Sequence, residues 1–191
     1  MIHGVVVARI AVDPSADRAT RTAAGRDALR ALAAELAGAD PVDVTVRARC
    51  VDCGGPHGRP VLGGSRALDG LHASVAHAGD VVVVAVGADG PIGIDAEPRG
   101  RQTPPGTTLG EWVRIEAVLK TDGRGLRVDP SRVRFAGDAH RMTAWIDLED
   151  ARYGVVDMEL GSDLVVALAR RQMEATGDSS RPIDVVHRPE V

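Results

Sequence analysis

A β-branched run, Val5-Val6-Val7-Ala8-Arg9-Ile10-Ala11-Val12, opens the pattern and predicts a strand, because branched side chains pack well on a pleated surface. Thr22, Gly25, Leu29, Leu32 and Leu36 then recur on one stripe at the 3.6-residue period, with Arg26 and Arg30 off it. This predicts a helix that Ser15 caps, that runs to about Ala37 and that Gly38 stops. Val42–Arg49 alternates and predicts a second strand, followed by a Gly/Pro-rich loop from Cys50 to Gly64. The unbroken apolar run Val81–Val86 predicts a buried strand. The turn Gly87-Ala88-Asp89-Gly90-Pro91 joins it to Ile92–Glu97, so a hairpin is expected there. Pro98 to Gly110 holds three prolines and three glycines and reads as an irregular connection. Trp112–Lys120 is helical in pattern, with Trp112, Ile115 and Leu119 as its apolar stripe and Gly123 and Gly125 ending it. Leu126–Phe135, Met142–Leu148 and Leu164–Ala169 are further strand candidates, and from Ala175 onwards the chain is polar.

Short strands in runs with two separate helices predict an α+β fold rather than a parallel βαβ sheet. The order strand, helix, strands occurs twice, a rough twofold echo of elements without a sequence repeat. Apolar residues make up 44% of the 191, which supports a packed core and argues against wholesale disorder. The aromatic residues are Phe135, Trp112, Trp145 and Tyr153 alone, so the core must be built from Ala, Val and Leu. The same scarcity leaves no stacking platform for bases, and a net charge of −4 offers no basic field, so nucleic acid is not an expected partner. No apolar run approaches the ~20 residues that span a bilayer. The N-terminus lacks the pattern of an export signal, so a cytoplasmic protein without a membrane partner is expected. Two cysteines are too few for a disulfide framework.

Candidate chemistry concentrates at the end of the 92–97 strand and on the helix that follows. Asp95 and Glu97 are two apart on a strand and therefore share a face, with Cα atoms roughly 6–7 Å apart. An oxygen-only cluster of this kind suits Mg²⁺, which takes a couple of carboxylates together with phosphate oxygens and water. Glu116 and Lys120 form an i,i+4 pair in the favourable order, beside the apolar stripe, where a half-buried acid could join the metal. Lys120 is the only lysine among 23 cationic residues. Taken one at a time, a strand-end D-x-E and a helical E-x-x-x-K also fit an ordinary solvated surface. Cys50-x-x-Cys53 with His57 invites a zinc reading, but a structural zinc wants four ligands and only His72 or another distant histidine could supply the fourth.

Gly93-Ile94-Asp95-Ala96-Glu97 and Trp112-x-x-x-Glu116-Ala117-x-x-Lys120 resemble the two signature motifs of the Sfp-type 4′-phosphopantetheinyl transferases. Gly58-Arg59-Pro60 is similar to the family's Gly-Lys/Arg-Pro motif, and His72-Ala73-Ser74-Val75-Ala76-His77-Ala78-Gly79-Asp80 to its Ser-His-Ser/Ala-Gly motif. Gly123-Arg124-Gly125-Leu126 also fits, and the matches run in the family's order from Thr22 to Leu126. The resemblance implies a pseudo-twofold α+β fold with the site between its halves. Here these would be an N-terminal half over 1–97 with the coenzyme A loops and a C-terminal half over 98–174 with the metal-binding helix, followed by a polar tail over 175–191. It implies Mg²⁺-dependent transfer of 4′-phosphopantetheine from coenzyme A, as co-substrate, to a serine of an acyl- or peptidyl-carrier protein. The carriers would be those of fatty acid, polyketide or nonribosomal peptide synthesis, and the product 3′,5′-ADP. By the same resemblance Asp95, Glu97 and Glu116 hold Mg²⁺, Glu116 also acts as base, and Lys120 stabilises the pyrophosphate and the departing ADP. Arg59 holds the 3′-phosphate region, Pro60 shapes the loop at the adenine, His77 donates to coenzyme A phosphates, and Thr22 lies near the adenosine. Such an enzyme is expected as a monomer. Thr22 and His77 also have plain structural readings, as a buried helix threonine and as a histidine at a strand start.

The sequence departs from the family in four places. Ile115 stands where Lys usually precedes Glu116, and Ala76 where a serine precedes His77. Only 14 residues separate Glu97 from Trp112, without the helix that commonly helps recognise the carrier, and of the basic segment before the first helix only Arg18 and Arg21 remain. Two alternatives therefore stand beside the transferase: a coenzyme A-binding relative with lost or altered transfer, and a zinc-stabilised interaction module.

Overall fold

The computed structural model describes residues 4–48, 50, 53–138, 141–172 and 183–188. Its fold is mixed α+β, with two α-helices and three sheets among those residues. The chain forms two compact units, Met1–Asp89 with Asp184–Val191, and Gly90–Ile183. No helix of the described residues is long and apolar enough to cross a membrane.

The first unit begins with β1 (Val5–Ala11), followed by α1 (Arg18–Ala37). Asp17, not Ser15, caps α1, accepting from the Thr20 N–H at 2.7 Å, because the Ser15 hydroxyl donates to Asp13 at 2.6 Å instead. Gly38 closes the helix in the left-handed conformation, as its position predicts. Gly25, Leu29 and Leu32 are buried as the stripe requires, joined by Ala28, Ala33 and Ala34, while Thr22 is only half-buried. A Cβ on Gly25 would meet Val82 and Val75 side chains at 3.2 and 3.3 Å, so the bare backbone there lets α1 approach the sheet closely. A short strand pair, β2 (Thr45–Ala48) and β3 (Pro60–Gly63), follows. The second of these lies inside the segment expected to be loop. Proline is tolerated as the first residue of a strand, so the Gly/Pro composition hid a four-residue element.

The remaining strands of this unit are β4 (His72–Ala78) and β5 (Val81–Gly87), a tight hairpin turning at Gly79-Asp80, where Gly79 has φ 64°. The sheet order places β5 between β1 and β4, with both edges hydrogen-bonded and every residue buried. The strand expected to pair with it, β6 (Ile92–Pro98), therefore finds no free edge there and pairs antiparallel with β10 (Leu164–Arg171). For the same reason the two units divide at 89/90 and not at 97/98. The polar tail is not wholly without structure: β11 (Val185–Arg188) runs parallel to β1, Val5 opposite Val185, while 175–182 and 189–191 lie outside the described residues.

In the second unit α2 (Leu109–Asp122) and β7 (Val133–Asp138), β8 (Arg141–Ile146) and β9 (Arg152–Met158) complete a five-stranded antiparallel sheet in the order β6-β10-β9-β8-β7 with one helix. A capping box starts α2: Thr108 accepts from the Glu111 N–H, and the Glu111 carboxylate accepts from the Thr108 N–H at 2.9 Å. Gly123 ends it, as expected. Its buried face is Val113, Ala117, Val118, Leu119 and Thr121, whereas Trp112 and Ile115 of the expected stripe are only half-buried. This face packs on β6 and β10, against Ala167, Ala169 and the fully buried Tyr153. In both units the first strand leads into the helix and pairs antiparallel with a later strand that also pairs with the one before it, giving β1-β5-β4 and β6-β10-β9.

Gly93 sets the distance between α2 and β6. A Cβ there would lie 2.3 Å from the Ala117 carbonyl oxygen and 2.5 Å from the Thr121 nitrogen, both helix backbone. Gly93→Ala must push the helix away, an overpacking cost of about 1–3 kcal/mol, expected as a thermal midpoint lowered by roughly 5 °C. An unchanged midpoint would show that this contact does not fix the helix.

Candidate functional site

Strand alternation puts Gly93, Asp95 and Glu97 on one face of β6, the face on which α2 sits at Gly93. Lys120, one turn after Glu116 on α2, reaches down from the helix. Its Nζ donates to the Ile94 carbonyl at 3.0 Å and to Asp95 Oδ1 at 2.7 Å. Asp95 is 5% exposed, and its other oxygen, Oδ2, is buried without a hydrogen-bond partner. A buried carboxylate oxygen left unmatched is costly, and a bound ion or an ordered water would satisfy it. Glu97 and Glu116 are half-buried, and Arg101 Nε lies 3.6 Å from Glu97 Oε1.

Burial raises the Asp95 carboxyl above its ordinary range, against the pull of Lys120. Glu97 and Glu116 are raised first by burial and then by the Asp95 charge, with Glu97 adding its own push on Glu116; Lys120 and Arg101 oppose both shifts. Asp95 thus raises both glutamates and Glu97 raises Glu116, a cluster of negative charge that would suit a hard divalent cation with oxygen ligands. The carboxylate oxygens do not, however, all lie within 4.8 Å of one another; among the described residues the group that does is Cys50, Cys53 and His57. An ion there would be held by one or two carboxylates directly and by the others through water.

The sign of a pH effect follows. Carboxyls raised in the folded chain stabilise it below their unfolded values of about 4 and lose that contribution as pH rises through the raised values. A cation relieves the ionised cluster. Mg²⁺ is therefore expected to raise the thermal midpoint at neutral pH, and the increment should fade on acidification as protons compete for the same oxygens. Melts with Mg²⁺ and with EDTA across pH measure it; an increment growing toward acid pH has the wrong sign for this site.

The residues expected on the nucleotide side belong to the other unit. Arg59 is half-buried immediately before Pro60, which opens β3 opposite Ala48. The Arg59 charge, after burial, is what lowers the His72 pKa, so these two side chains are neighbours. His77 is exposed near the end of β4, not at a strand start. Two residues on, the Gly79 carbonyl accepts from Arg21 Nη1 at 2.6 Å, which brings one remaining basic residue of α1 to the β4–β5 turn. The Thr22 hydroxyl donates to the Arg18 carbonyl at 2.8 Å within its own helix.

Two features of the site escape sequence reasoning. Arg101 lies in the segment read only as irregular connection, where no helix makes an i,i+4 spacing from Glu97 informative. Behind α2, Tyr153 donates to Asp122 at 3.0 Å, while Arg124 donates to Asp122 at 2.6 Å and to Glu149 at 2.6 Å. Burial would raise Asp122, but the bonds from Arg124 and Tyr153 outweigh it and hold the carboxyl below its usual range. This network pins the C-terminal turn of α2, the turn that carries Lys120. No protein-family model matches the chain, and no curated protein matches it.

Proposed function

We propose that the chain is an Sfp-type transferase that moves 4′-phosphopantetheine from coenzyme A to a serine of an acyl- or peptidyl-carrier protein, in the cytoplasm and as a monomer. The observation that carries this reading is the unmatched buried oxygen of Asp95 beside Lys120, between two further acids whose residues match the family's signatures. In each unit a first strand pairs antiparallel with a later strand that also pairs with the one before it, β1-β5-β4 and β6-β10-β9, which supports the resemblance. When bound, Mg²⁺ supplies charge neutralisation at the pyrophosphate. Asp95 and Glu97 would hold it from the strand and Glu116 from the helix, directly or through water. Glu116, its pKa raised by burial and by its acidic neighbours, is a stronger base than a solvated carboxylate and takes the proton of the carrier serine. The serine oxygen forms a bond to the β-phosphorus as the bond to the 3′,5′-ADP oxygen breaks. Lys120, a compact charge already held at Asp95, steadies the departing phosphate.

Incubating the chain with coenzyme A, Mg²⁺ and a panel of apo-carriers, then weighing the carriers, tests the proposal. One phosphopantetheine added per carrier, abolished by EDTA, is expected. No helix occupies residues 99–108, and Ile115 lies half-buried beside Glu116; both favour a second reading as a coenzyme A-binding relative without efficient transfer. Metal-dependent coenzyme A binding with every carrier unmodified would select it.

A further inference from the structure

The Cys50–His57 loop, at the tip of the β2–β3 hairpin, is not used by the carboxylate site. Its three soft donors, Cys50 Sγ, Cys53 Sγ and one ring nitrogen of His57, all lie within 4.8 Å of one another. Neither cysteine is in a disulfide, and Cys53 Sγ is 2.9 Å from His57 Nε2. The backbone is folded to bring them together. The Cys50 N–H donates to the Gly55 carbonyl and the Gly54 N–H to the Cys50 carbonyl, each at 2.9 Å. The Gly55 N–H donates to Cys53 Sγ at 3.4 Å. Gly55 also makes room for the imidazole: a Cβ there would lie 3.1 Å from His57 Cδ2 and 3.2 Å from Cys53 Sγ. From outside the loop, Arg26 Nη2 of α1 holds the Pro56 carbonyl at 3.0 Å.

We infer that Cys50, Cys53 and His57 form a second metal site, which binds one Zn²⁺ independently of Mg²⁺ and of the transferase reading. Two thiolates and an imidazole are a soft donor set that Mg²⁺ disfavours and Zn²⁺ prefers. Binding releases a proton from each cysteine thiol, so affinity rises with pH. Among the described residues no fourth His, Cys, Asp or Glu joins the group, and His72 is not part of it. Cys53 and His57 are exposed, so water or a small thiol can reach the ion. The ion cross-links the hairpin tip two residues before Arg59, and so restricts the loop that carries that arginine.

Co²⁺ titration of the full-length reduced chain tests the site, because thiolate ligation to cobalt gives a near-ultraviolet charge-transfer band and tetrahedral cobalt gives strong visible d–d bands. Both bands are expected to grow to one ion per chain, to vanish on adding Zn²⁺, and to persist in excess Mg²⁺. Cys53→Ser and His57→Ala change exposed side chains and should stay folded by circular dichroism. They should weaken cobalt binding by about 100-fold or more, beyond the usual cost of losing an outer-shell partner. Saturable binding without a charge-transfer band, or the same spectrum in Cys53→Ser, would overturn the proposal. So would a reduced chain that binds no cobalt; a Cys50–Cys53 disulfide in the isolated protein would then mark the loop as a redox pair.

Discussion

Asp95→Asn is expected to lower transfer to an apo-carrier by at least about 100-fold at saturating Mg²⁺, while leaving the chain folded. The substitution keeps size and shape, and the amide oxygen can still accept from Lys120 Nζ, which lies 2.7 Å from Oδ1 in the native chain. What changes is Oδ2, the buried atom without a partner, which becomes an amide nitrogen unable to coordinate a hard cation. The stability result should run the opposite way. Burial holds the Asp95 carboxyl above its ordinary range, so ionising it at neutral pH works against folding, and a neutral amide removes that penalty. In EDTA the Asn variant should melt no lower than the native chain, and it should lose much of the Mg²⁺-dependent rise. Activity lost together with retained or improved stability is the pattern of a residue kept for chemistry at the expense of the fold. Near-native turnover by a folded Asn variant would remove Asp95 from the reaction.

The elements that the sequence makes legible are those whose signals are local. Gly38 and Gly123 end their helices because each adopts the left-handed conformation that glycine tolerates, and both are readable from position alone. The choice between Ser15 and Asp17 as cap is less legible, since it turns on Asp13 capturing the serine hydroxyl. Strand partners are not local at all. Gly87–Pro91 does mark a turn, but nothing in it reveals that β1 and β4 already occupy both edges of β5. The strand β4 was hidden for a different reason, since alanines at 73, 76 and 78 carry little strand propensity and its burial comes from neighbours distant in sequence. In the site, spacing alone pairs Asp95 with Glu97 and Glu116 with Lys120. The contact that joins the two pairs spans 25 residues, and only the Gly93 approach of α2 to β6 creates it.

That contact makes Lys120→Arg the sharper test of geometry, because it preserves the charge. Lys120 Nζ satisfies two acceptors from one point, the Ile94 carbonyl at 3.0 Å and Asp95 Oδ1 at 2.7 Å. An ammonium can do so because its three donors diverge from a single atom, whereas a guanidinium spreads its donors across a rigid plane. Space for that plane is limited by the close seating of the helix over Gly93 and by Ala117, which is fully buried one turn earlier. The larger head must either leave the Ile94 carbonyl or swing over Asp95 toward Oδ2, the atom assigned to the cation. Either movement displaces charge from the place where the departing phosphate needs it, so kcat is expected to fall by about 10-fold or more. The effect on KM for coenzyme A should be smaller, because the substitution keeps the positive charge. The midpoint in EDTA should change little, since the side chain is 30% exposed and can carry its charge into solvent. Steady-state kinetics with separate kcat and KM values measures the split. An unchanged kcat would leave Lys120 a structural partner of Asp95 and the carboxylates without a lysine in their chemistry.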